Sequence, residues 1–278
     1  MIRLLFIMVC LDMVCWSSSC SPGPHGAAQV WRNPKDDMRF VWVPAGSLAV
    51  EVPSESSEPN EAGETSPQVV AFRDGFWLGR TEVTIGQFRR FAMETGFVTE
   101  AERAGNQWTW RHPGFPQKDD HPAVYLSYKD SLQYARWAGV DLPTEAEWLY
   151  ACKAGANTVF YWGNELDGRY VWHRGNTEGT GTRPVARKLP NAWGLHDMVG
   201  NAREYCKVGE TCFATRGGAW TRCPAYRSRT GSVNQKLFDA EVEPRLHKCD
   251  PAPQYPPYAW DDDRGFRCIR RVASGQQD

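Results

Sequence analysis

Nine cysteines, six histidines and a segment rich in glycine and arginine are the places where this 278-residue chain could do chemistry. A thiol can act as a nucleophile, a soft-metal ligand or half of a disulfide, and its surroundings decide which. Cys223 poses that choice most sharply, within GGAWTRCPAYRSR at residues 217–229. No C-x-x-C pair occurs, which argues against a zinc ribbon or a thioredoxin-type site. The histidines are scattered and form no HExxH. His121 and His196 are candidate acid–base groups, but no carboxylate stands at a readable spacing from either, so each also reads as a structural histidine.

The N-terminus suggests where these thiols reside. MIRLLFIMVCLDMVCW begins with Arg3 and continues as an apolar run too short and too interrupted to span a bilayer. SSSC follows, and resembles a bacterial lipoprotein cleavage site with Cys20 as the lipidated residue; ordinary secretion with cleavage nearby is the alternative. Residues 1–20 thus read as a signal peptide, and export places the chain in an oxidising compartment, periplasmic or anchored to the outer membrane. Setting aside Cys10, Cys15 and Cys20 leaves Cys152, Cys206, Cys212, Cys223, Cys249 and Cys268, an even set that suggests three disulfides. The net charge of −1 gives no sign of a nucleic-acid partner. The membrane is expected to be met only through the N-terminal lipid.

These residues must be positioned by a loop-rich fold, for 25 Gly and 19 Pro accompany 13 Trp. Residues 21–37 read as a tether, 38–273 as one α+β domain and 274–278 as a tail. RFVWVPAG at 39–46 reads as a first strand, the acidic stretch 51–68 as a surface loop, and VVAFRDGFWLG as a strand with a turn. Three helices open on capping boxes: Thr84 with Gln87, Ser127 with Asp130, and Thr144 with Glu147. Gly139 and Gly155 mark two of their ends. Beyond residue 156 helical periodicity fades into short strands and turns.

Six segments, in order, carry a resemblance: RTEVTIGQFRRFAMETGFVTEAE, HPAVYLSYKDSLQYARWAG, DLPTEAEWLYACKAG, GLHDMVGNAREY, RGGAW and GFRCIR. They resemble the formylglycine-generating enzyme, or sulfatase-modifying factor, family across nearly the whole chain after residue 38. The resemblance implies a single compact domain with little regular secondary structure, related to C-type lectin-like folds. It also implies a Cys152–Cys268 disulfide. Cys206 and Cys212 flank KVGET and suggest a bridged hairpin, which leaves Cys223 with Cys249.

The family's best-known activity oxidises a sulfatase cysteine to formylglycine, using two thiolates to hold copper(I). Its pattern has a Ser after the two glycines, a Cys three residues later and another five beyond. Those positions hold Ala219, Arg222 and Arg227 here, and Cys223 lies one residue off the first. Copper is therefore not expected. Arg222 and Arg227 suit a carboxylate or phosphate, or local acids among Asp261, Asp262 and Asp263. HDMVGNAREY resembles the family's calcium turn, which implies Asp197, the Gly200 and Ala202 carbonyls and Glu204 as ligands. The alternative is a turn held by Asn201 and Glu204 on backbone amides. Arg203 beside the site would discourage a cation if it pointed inward.

Three readings follow. The chain is an accessory or maturation lipoprotein that binds a protein or peptide partner in the cleft; or a maturation enzyme whose cleft uses His196, Glu204 and arginines; or a formylglycine-type oxidase with a shifted thiol pair. The same fold serves several roles, so only the site can choose.

Overall fold

The computed structural model describes residues 29–53, 65–209, 212–221 and 261–272. Strands β1 (Val30–Arg32), β2 (Arg39–Val43), β3 (Gly46–Pro53), β4 (Thr65–Phe72) and β5 (Phe76–Gly79) lead into helices α1 (Ile85–Thr95), α2 (Glu100–Arg103), α3 (Tyr128–Ala138), α4 (Glu145–Lys153) and α5 (Arg174–Thr177). Strands β6 (Arg203–Val208), β7 (Cys212–Arg216), β8 (Arg264–Gly265) and β9 (Ile269–Arg271) close the chain. It is one α+β domain, as its sequence predicts. The sheet begins inside the segment read as a tether, because β1 pairs with β2 through Val30 and Val41. The stretch read as a surface loop contributes to both strands of an antiparallel hairpin, with Pro53 opposite Thr65.

The four-stranded sheet runs β1-β2-β5-β9. Alternate residues of a strand face opposite sides, so both sides of β2 must be covered. Phe40 packs with Phe88, Phe91 and Tyr134 from α1 and α3. Val41 and Val43 pack with Trp148 and Leu149 from α4. The three expected capping boxes all form, and each fixes the entry of a helix that covers the sheet. A fourth box, Thr99 with Glu102, opens the four-residue α2. It was not read from the sequence because no periodic apolar run follows it. Among the described residues no helix is long and apolar enough to cross a membrane.

The cysteines depart from expectation. Cys152, Cys206 and Cys268 are free, buried thiols. Cys152 packs beside Trp148 and Met198 in the α4 core, while Cys268 packs with Met38 and Phe266 in the α1–α3 core. The two point into different cores and do not pair. Cys206 stands opposite Ala214 and Cys212 opposite Val208. That makes Cys206 and Cys212 diagonal neighbours, typically about 7–8 Å apart and beyond the usual disulfide span. Cys212 is instead disulfide-bonded, and not to Cys152, Cys206 or Cys268, which are free. Cys20, Arg222, Cys223, Arg227 and Cys249 lie outside the described residues.

Candidate functional site

Strand β6 alternates, and so separates Arg203 from Glu204. Arg203 turns to Asp263, bonding its two oxygens at 2.7 and 3.0 Å. It does not face the proposed calcium turn, which removes that objection to a cation. Glu204 turns inward and is wholly buried. Its carboxylate accepts from Arg267 Nε at 2.5 Å, Arg267 Nη2 at 2.6 Å and Trp148 Nε1 at 2.7 Å. Arg267 also donates to the carbonyls of Gly79 and His196, both at 3.0 Å. Burial works against its charge, but Glu204 outweighs burial and keeps the guanidinium protonated.

Two further carboxyls share this interior. Asp197 accepts the Ala186 N–H at 2.6 Å through Oδ2, while Oδ1 has no partner among the described residues. Neither oxygen of Glu82 has one. Burial pushes Asp197 up to about 6. Burial, then the charges of Asp197 and Glu204, push Glu82 well above the usual carboxylate range. A single guanidinium facing three carboxyls leaves room for protons or a cation. Asp197 Oδ1 thus offers an oxygen without a partner in the turn, whereas both oxygens of Glu204 are already engaged by Arg267 and Trp148. Among the described residues, no cluster of three or more His, Cys, Asp or Glu side chains could hold a metal.

The turn itself is not held by amides on Glu204. Asn201 clamps the backbone of Arg183, accepting its N–H at 2.9 Å and donating to its carbonyl at 3.1 Å. Gly200 has φ +87°, and a Cβ there would lie 2.3 Å from the Trp172 carbonyl oxygen. Only glycine permits that approach.

His196 is not placed for acid–base work. Its Nδ1 lies 2.9 Å from the Lys188 carbonyl and its Nε2 2.9 Å from Arg80 Nη2. The carbonyl requires a proton on Nδ1, so Nε2 accepts from Arg80 and the ring is neutral. Burial, and the charges of Arg80 and Arg267, lower its pKa. The two glutamates of TEAEW are engaged as well. Glu145 pairs with buried Arg216 at 2.7 Å, and Glu147 joins its capping box and pairs with Arg271 at 2.7 Å.

A cleft that sequence reading missed lies beside Trp220. The loop carrying Trp108, Pro113, Gly114, Phe115 and Pro116 walls two adjoining cavities of about 710 and 480 Å³. The first is also lined by Arg89, Arg111 and His112. The second is closed by Tyr125, Thr180, Trp220 and Asp262. Phe115 meets Trp220 edge-on at 5.2 Å between ring centroids. Trp220 is fixed by hydrogen bonds to the Asn201 and Asp262 carbonyls, at 3.0 and 3.1 Å. Ala219 is fully buried. The signal was the density of Trp, Pro and Gly in WTWRHPGFP, which has no periodicity to flag it.

These features define a class: a loop-rich α+β scaffold, stapled inside by a glutamate–arginine pair, that carries an aromatic cleft on its loops. The chain belongs to the family described as sulfatase-modifying factor enzyme 1-like domain, whose model matches residues 27–272. It is 31% identical over 220 residues to the formylglycine-generating enzyme of Bos taurus, covering 62% of this chain and 58% of that one. The chain thus spans less than two thirds of that relative's length. It is 33% identical over 235 residues to the formylglycine-generating enzyme of Streptomyces coelicolor, covering 67% and 74%. It is 25% identical over 316 residues to the inactive C-alpha-formylglycine-generating enzyme 2 of Mus musculus, covering 96% and 94%. PvdO from Pseudomonas aeruginosa shares the fold, with a TM-score of 0.63 at 24% identity over 88% of this chain and 98% of that one.

Proposed function

We propose that this chain is an exported accessory or maturation module that binds an extended peptide segment of a protein partner in the cleft beside Trp220. The observation that carries this reading is the cleft itself: an open trough walled by Trp108, Phe115 and Trp220, with backbone and charged groups at its rim. Such a surface stacks and desolvates side chains without needing a nucleophile. Support also comes from the positions where the family's copper chemistry resides. They hold buried Ala219, Arg222 and Arg227, and the relative in Mus musculus that covers nearly the whole chain is named inactive.

The test is binding of the full chain to an array of extended peptides, read against Trp108→Ala, whose side chain is partly exposed. A bound subset whose affinity falls about tenfold in the variant is expected, the loss typical of an aromatic anchor. Oxidation of a cysteinyl peptide to formylglycine with stoichiometric copper(I) would overturn the reading. Export with Cys20 as a lipid anchor belongs to the same proposal. Metabolic labelling with palmitate should mark the chain and be lost in Cys20→Ser; an unlabelled parent chain refutes the anchor.

Calcium belongs to the proposal as a structural ion. Asp197, Glu204 and the Gly200 and Ala202 carbonyls would hold it, and it would supply positive charge to the buried carboxyls. That Asp197 Oδ1 has no partner among the described residues supports this.

A further inference from the structure

Beyond the aromatic cleft, a third cavity of about 300 Å³ is lined by Pro116, Lys118, His121, Thr180, Arg183 and Pro184. Pro116 and Thr180 line the cleft as well, so the two spaces adjoin. Arg183 is locked there by its own loop. Its Nη2 donates to the Thr177 carbonyl at 2.6 Å and to Thr180 Oγ1 at 3.1 Å, and its Nη1 donates to the Gly181 carbonyl at 3.2 Å. Asn201 clamps its backbone from behind. All of these acceptors are neutral. They satisfy donors and fix the guanidinium, but they leave its charge uncompensated.

The neighbouring acids are engaged elsewhere, Asp119 with Arg89 and Asp120 with Arg187. Among the described residues no carboxylate pairs with Arg183 or Lys118, and Arg183 Nε has no hydrogen-bond partner. Burial lowers the His121 pKa; the charge of Asp120 opposes this, and the charges of Arg183 and Lys118 act in the same direction as burial. A half-buried, immobilised cation beside a second cation, in a cavity that adjoins the cleft, offers the charge that an anion would meet.

We propose that this cavity binds an oxyanion through the Arg183 Nε–H and the Lys118 ammonium, and that a carboxylate or phosphoryl side chain of the bound peptide supplies it. The second half rests on the peptide-binding reading; the first does not. It gives the cleft a specificity it otherwise lacks: an acidic residue adjacent to the residue seated against Phe115 and Trp220.

The test follows the Arg183 Nε–Hε signal by NMR in the full chain, assigned with Arg183→Lys. Inorganic phosphate, acetate and chloride are added at constant ionic strength. A saturable shift with phosphate or acetate, and none with chloride, is expected. Response to phosphate alone assigns the site to phosphoryl groups, and response to acetate as well admits carboxylates. Arg183→Gln, which lacks that signal, is read from the His121 ring resonances in the same cavity and should weaken binding by about tenfold or more, as for a lost hydrogen bond to a charged group. Lys118→Met, at an exposed position, should weaken it by about threefold. If Arg183→Gln does not fold, Lys118→Met alone decides. Absence of a saturable shift with either oxyanion, or unchanged affinity in Lys118→Met together with any folded Arg183→Gln, overturns the site. Anion binding without discrimination between a cleft peptide's Glu and Gln forms overturns only the peptide half.

Discussion

Arg267 and Glu204 are the residues on which the interior turns. Each bonds the other, and Trp148, Gly79 and His196 add three further hydrogen bonds. A buried pair of this kind contributes little over an apolar replacement, yet losing one partner strands the other. Arg267→Met and Glu204→Gln should each cost about 3–5 kcal/mol in urea unfolding, and the double variant less than the sum of the two. Additive losses would mean the two side chains act independently. The sequence reading singled out Glu204 and Asp197 by resemblance. It did not find their partners, because Arg267 lies 63 residues from Glu204 and no local pattern links them. Glu82, in RTEVT next to a capping box, has no local signal for the same reason: the charges that act on it, Asp197, Glu204 and Arg267, are distant in sequence.

At the scale of elements, local chemistry was well read where it is local in fact. An N-cap depends on residues three apart, so the starts of α1, α3 and α4 were legible from sequence. Helix α5 was not, because its cap is unusual. His173 Nδ1 accepts the Gly175 N–H at 3.0 Å, a role the ring fills only when that nitrogen carries no proton. Burial, reinforced by Lys188, holds the His173 pKa below its ordinary value of about 6.5. A depressed histidine binds fewer protons folded than unfolded. The cap's contribution is therefore complete above about pH 6.5 and is lost as pH falls through the lower folded value. NMR titration should place the ring below 6.5, and Lys188→Met should move it upward. A ring titrating at or above 6.5 would mean the cap does not require the neutral form.

For the whole molecule, the buried carboxyls set a balance between protons and a cation. If calcium binds at Asp197 and Glu204, it should raise the melting temperature of the full chain, and a chelator should reverse the rise. At a concentration about a hundredfold above the dissociation constant, the gain is about 2.7 kcal/mol. Identical melting in calcium and chelator would leave the interior balanced by protons and Arg267 alone. The cysteines belong to this scale too. Their even number suggested three bridges, but counting carries no direction: helix α4 buries Cys152 in one core, and the segment before β9 buries Cys268 in the other.

By itself the sequence determined the family, the order of the main elements, the capped helices and the absence of copper-binding thiols at their expected places. Each of these depends on residue identity or on neighbours a few positions away. Only the tertiary structure decided that Arg267 engages Glu204, that Arg203 turns to Asp263, that His196 is fully bonded, and that the 108–118 loop meets Trp220 to form a cleft. Those are contacts between distant segments. Their partners are chosen by how the sheet, its covering helices and the loops pack together, and spacing along the chain does not encode that choice.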